Sequence, residues 1–136
     1  MNKKIYVLFI LLVTSCQYST TKSNQIFVKQ IISEYVDFSI ETIIDIRCEE
    51  FKNQFSKEIE TKSIDDPNKI REILILLKNL KPAGKEYYQY VDTRMRLKLI
   101  YNTDSVETIC LSNFIVQRRD KLYVRTDSLT NLLINN

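Results

Sequence analysis

Positions 92–99 alternate without a break within an expected strand that runs from Asp92 to Tyr101. Thr93, Met95, Leu97, Leu99 and Tyr101 fall on one side of an extended chain, and Arg94, Arg96 and Lys98 on the other. Period two marks a strand with one face in a core and one towards water. It commits the chain to a sheet covered mainly on one side. Asn102-Thr103-Asp104-Ser105 has turn composition, and Val106–Leu111 returns as the second arm of a hairpin. With Tyr101 facing Val106, Leu97 faces Cys110, and Cys110 is expected to point into the core. Residues 114–117 and 121–125 read as a second hairpin around Arg118-Arg119-Asp120. Residues 40–48, rich in Ile and Thr, suggest another strand, as do 58–64 through Ile59, Thr61 and Ser63. Residues 26–37 fit a helix or an irregular strand and are taken as an extended segment.

The clearest helix spans 67–80. Asp66 stands at the N-cap and Pro67 at the first helical position. Ile70, Ile73, Leu74, Leu77 and Leu80 share one face, and Ile75 and Leu76 widen it. Lys78 and Lys81 suit the C-terminal end of the dipole, and Pro82 and Gly84 close the helix. Phe51 and Phe55, four apart, share one side of a short helical turn. Asp127 is expected to cap a short C-terminal helix carrying Leu129, Leu132 and Leu133. These elements predict a small α+β domain of two layers: a mostly antiparallel sheet against one main helix, with a short C-terminal helix.

Composition narrows the chemistry. Histidine is absent, which removes the side chain best suited to proton transfer near neutral pH and the commonest metal ligand. One glycine leaves no glycine-rich phosphate loop. No Ser-His-Asp or Cys-His set can be assembled. Asp65 beside Asp66 could be a catalytic carboxylate pair, but helix capping explains Asp66; Glu49-Glu50 beside Cys48 could suggest a metal site, but no His and no second close cysteine support it. The expectation is a non-enzymatic protein without cofactor or metal.

The N-terminus carries Lys3-Lys4, then a nine-residue apolar run from Ile5 to Val13, then Thr14-Ser15-Cys16. A spanning helix needs about 20 apolar residues, so the run suits a signal-peptide core. Val13-Thr14-Ser15-Cys16 resembles the lipobox of bacterial lipoproteins. That resemblance implies cleavage before Cys16 and a diacylglycerol on its thiol. It divides the chain into a signal peptide at 1–15, a lipidated cysteine with a polar tether at 16–25, and one domain at 26–136. It implies a partner in the membrane, reached through the lipid at Cys16, and a place in the bacterial cell envelope. Gln17 after the cysteine favours the outer membrane by the sorting pattern of enteric lipoproteins. The body resembles small Bacteroidetes-type lipoproteins in general plan only.

Without Lys3 and Lys4, 18 Lys and Arg face 17 Asp and Glu, a formal charge of +1, so no global attraction to polyanions is expected. Cys48 and Cys110 remain. An oxidising compartment invites a disulfide between them, and two buried free thiols are the other reading. Arg94, Arg96 and Lys98, extended by Arg118, Arg119 and Arg125, form a candidate surface for an anionic partner, against the plainer reading of a solvated face with Glu107 as cross-strand mate. Tyr87, Tyr88 and Tyr90 precede that strand and could anchor an interface, or merely cover the core edge. Nucleic acid is disfavoured for an exported chain. The expected role is binding a protein or an envelope component. An inhibitor of a periplasmic toxin is the alternative, and a small carboxylate or Tyr enzyme ranks last.

Overall fold

The computed structural model describes residues 25–87 and 91–135. In chain order the elements are β1 (Val28–Tyr35), α1 (Phe51–Gln54), β2 (Glu60–Ile64), α2 (Pro67–Lys78), a 3-10 turn (Lys85–Tyr87), β3 (Met95–Tyr101), β4 (Val106–Leu111), β5 (Ile115–Arg118), β6 (Lys121–Val124) and α3 (Asp127–Ile134). Among the described residues the strands form one antiparallel sheet in the order β2-β1-β3-β4-β5-β6. This is the expected small α+β domain. The β6 edge is covered: Pro82 bridges Tyr123, and the backbone at Lys81 and Ala83 bonds Val124 and Leu122, which protects it from pairing with another chain.

One sheet face carries Ile31, Tyr35, Ile64, Met95, Leu97, Leu99, Ile109, Leu111 and Val116, buried against Ile70, Ile73, Leu77 and Leu80 and against Leu129 and Leu133 of α3. Asp66 caps α2, accepting from the N–H groups of Asn68 (2.7 Å) and Lys69 (3.4 Å). Asp66→Ala is expected to cost about 1 kcal/mol and to lower the melting temperature by about 4–6 °C, read by thermal circular dichroism. Asp127 does not cap α3. Thr126 holds the N-cap position without a side-chain bond, and Asp127 is the first helical residue, where its charge still suits the dipole.

The first hairpin is one residue tighter than its composition suggests. Tyr101 N–H donates to Ser105 O, Asp104 N–H donates to Tyr101 O, and Asp104 takes φ 62°. A loop of Asn102, Thr103 and Asp104 with a left-handed third residue is a common hairpin geometry. It pairs Ile100 with Val106, Leu97 with Ile109 and Arg96 with Cys110. A one-residue slip exchanges the faces. Cys110 therefore lies on the face opposite the helices, not in the main core, although it is only 1% exposed.

What buries it is the segment from 37 to 55, which folds over the top of that second face. Residues 40–48 form no strand. Their backbone is held elsewhere: Ile46 N–H donates to Asp92 Oδ1 and Ile46 O accepts from Thr93 N–H, which ties the segment to the start of β3 and not alongside a strand. Ile46, Phe51 and Phe55 pack instead with Val36 in a small separate core. Phe51 meets Phe55 edge-on at 5.5 Å between centroids. Cys48 and Cys110 form a disulfide with Cα atoms 5.8 Å apart, which staples the segment to β4.

Candidate functional site

The expected basic face exists as a pattern, but the roof turns most of it inward. Arg94 is 3% exposed. Its Nη1 donates to Asp92 Oδ1 (2.7 Å) and Thr93 O (3.2 Å), its Nη2 to Thr42 Oγ1 (2.9 Å) and its Nε to Ile40 O (3.2 Å). The guanidinium also stacks over Phe55, 5.5 Å from the ring centroid, a favourable cation–π contact. Asp92 accepts from Ile46 N–H as well (2.9 Å), and Thr93 N–H donates to Ile46 O (2.7 Å). Arg94 is thus the post on which the 37–47 loop stands.

Arg96 and Lys98 converge on Glu34, which faces Arg96 across the β1–β3 pair. Arg96 Nη2 lies 2.9 Å from Glu34 Oε2, and the Nζ atoms of Lys98 and Lys52 lie 2.8 Å and 3.0 Å from Oε1. Burial by itself would raise the Glu34 pKa. The hydrogen bonds from Lys98, Lys52 and Arg96 more than reverse this and hold it at about 2. Arg96 stacks over Phe51 at 5.8 Å and donates to Cys48 O. Of the expected stripe, Lys98 keeps partial exposure, 24% of its side chain.

Glu107 does not serve that stripe. It faces Leu99 on the helix side of the sheet. There it accepts from Arg118 and the Tyr101 hydroxyl and forms an ion pair with Arg119. The Arg118 hydrogen bond comes first among the causes that hold its pKa at about 2, against the opposing effect of burial. Arg125 turns to Thr130 and Asp127 and stacks over Phe38. The structure therefore disperses Arg94, Arg96, Lys98, Arg118, Arg119 and Arg125 among separate carboxylates.

What faces water at the roofed end is apolar and acidic. Ile43 is fully exposed and Ile44 is 65% exposed. Phe114, in the neighbouring β4–β5 turn, is 70% exposed. That turn is tied to the loop by the Asn113 side chain donating to Phe38 O. A cleft of about 320 Å³ opens beside it between Tyr87 and Asp92 on one side and Ser112 and Phe114 on the other. Asp37, Glu41, Asp45, Glu49 and Glu50 oppose Arg47 in residues 37–50, a formal −4. Tyr87 therefore borders this end. Tyr88 and Tyr90, like Cys16, lie outside the described residues.

Ile43, Ile44, Glu34 and Lys52 were not singled out by sequence. The two isoleucines carry the signal of a buried strand, and Glu34 is separated from Arg96 and Lys98 by more than sixty positions. Among the described residues no group of three or more metal-ligating side chains is assembled, and no helix is long and apolar enough to cross a membrane. Compared with protein-family models, with curated proteins and with solved structures, the chain matches none.

Proposed function

We propose that this chain is a lipid-anchored, non-enzymatic binding module of the bacterial envelope, held through Cys16, which offers its 37–47 loop to a partner protein. The observation that carries the reading is the pair Ile43 and Ile44, presented to water on a loop fixed by the buried Arg94. Side chains on a rigid support bind with little ordering cost, and the fully buried core of an interface is more apolar than the rest of the surface. The acidic flanks of the loop select a partner with an apolar pocket and a cationic rim. The same acidic rim favours, as second reading, an inhibitor that plugs the cationic site of a toxin.

Ile43→Ser with Ile44→Ser is expected to leave the urea midpoint nearly unchanged, within about 0.5 kcal/mol, because neither side chain is buried. A photoreactive residue at Ile43 should cross-link a defined envelope protein in cells, and one at the exposed Ile75 of α2 should not. Identical adducts from both positions would remove the loop from the proposal. A partner identified as a toxin would select the inhibitor reading.

A further inference from the structure

The sheet has a second end, and its surface differs from the loop end. The β1 start, the β3–β4 turn and the tip of the β5–β6 hairpin lie towards it. Ile26, Phe27 and Val106 are exposed there by 65%, 56% and 55%. Ile26 and Val106 line one shallow cleft with Tyr101, Ser105, Glu107 and Arg119. Phe27 is not a loose terminus: its N–H donates to Asn102 Oδ1 and its carbonyl accepts from Asn102 N–H. The nearby cations are balanced, Lys29 by Asp104 and Arg119 by Glu107. This end is apolar and near neutral, and the opposite end is strongly acidic.

The chain enters at this apolar end. Nine positions separate Cys16 from Gln25, and a chain of that length reaches at most about 30 Å. A lipid at Cys16 therefore keeps this end close to the bilayer. The eight residues of β1 set the loop end about 25 Å further out. An aromatic and two aliphatic side chains exposed together, with the neighbouring charges paired, suit burial at a membrane interface. An acidic loop is disfavoured beside anionic lipid.

We propose that the bilayer bearing the Cys16 lipid is also the occupant of this base, with Ile26, Phe27 and Val106 seated in the interface and the Ile43–Ile44 loop pointing away. The proposal rests on the anchor reading above and adds an orientation to it. It makes the module a spacer that presents its loop at a fixed height and heading, where the tether alone would leave the body free to turn.

The chain contains no tryptophan, so an introduced one reports alone. Phe27→Trp, Val106→Trp and Ile43→Trp are made in the full chain, expressed in its host for acylation and placed in phosphatidylcholine–phosphatidylglycerol vesicles with brominated acyl chains. The Phe27→Trp and Val106→Trp proteins are expected to shift to shorter wavelength and to lose about half or more of their emission, since seated side chains reach the acyl boundary. Ile43→Trp should keep a water-exposed spectrum. Vesicle flotation is run on the same samples. Unquenched base reporters in floating protein would overturn the seat and leave the anchor standing, and equal quenching at all three positions would overturn the orientation. Protein that fails to float would overturn the anchor, and the seat with it.

Discussion

Replacing Cys48 and Cys110 together by alanine is expected to lower the unfolding free energy by about 4 kcal/mol. The bond closes a loop with a sequence separation of 62, and in the chain-entropy model a cross-link of that span restricts the unfolded chain by about that amount. The loss should not be uniform. Val36, Ile46, Phe51 and Phe55 form their own small core, too few side chains to hold a segment of this length against its conformational entropy. Without the staple, amide exchange should accelerate across 37–55 well before it does in β3 and β4. Cross-linking from Ile43 should fall in parallel, because the loop would no longer be held ready for its partner. A urea midpoint equal to that of the parent would show that the bond contributes nothing to folding.

The same staple shows where sequence reasoning stops. The α2 helix was legible from its cap to within two residues of its C-terminal end, which falls at Lys78 and not at Leu80, since Asp66, Pro67 and the apolar spacing are local signals and each acts within one turn. The β3 alternation was legible for the same reason. The hairpin register was not, because it depended on whether Asp104 would adopt a left-handed backbone, and turn composition does not separate a three-residue loop from a four-residue one. That single residue decided which face Cys110 occupies. The segment at 40–48 is not a strand because β propensity describes a residue's fit to a sheet, and here the backbone of Ile46 is taken by Asp92 and Thr93. The basic stripe was legible as a pattern, but Glu34 and the roof that cover it come from distant segments. Periodicity assigns faces and cannot name cross-strand neighbours.

Glu34 shows what those neighbours are worth. Glu34→Ala is expected to destabilise the fold by about 2–4 kcal/mol, less than the loss of a partner from a fully buried pair, because Arg96, Lys98 and Lys52 keep part of their contact with water. Arg96 and Lys98 keep side-chain exposures of 13% and 24%, so neither can be fully rehydrated where it stands. Glu34→Gln preserves the shape and removes the charge, which isolates the electrostatic part. The folded pKa values of Glu34 and Glu107 are about 2 against an ordinary 4.5. A carboxylate depressed in the folded state stabilises above its unfolded pKa, and that contribution is lost as pH falls through the folded value. Each group is therefore expected to add about 2–3 kcal/mol at neutral pH, disappearing between about pH 5 and pH 2. In that window the unfolded chain binds more protons, so stability rises with pH. Urea titrations from pH 7 down to pH 2 should show a shallower slope in Glu34→Gln and a shallower one again in the double variant with Glu107→Gln, which keeps the part owed to Asp37, Glu50 and Asp104, whose carboxyls hydrogen bonds also hold below their ordinary range. A parent midpoint that does not move across that range would mean that neither carboxylate gains from its cations.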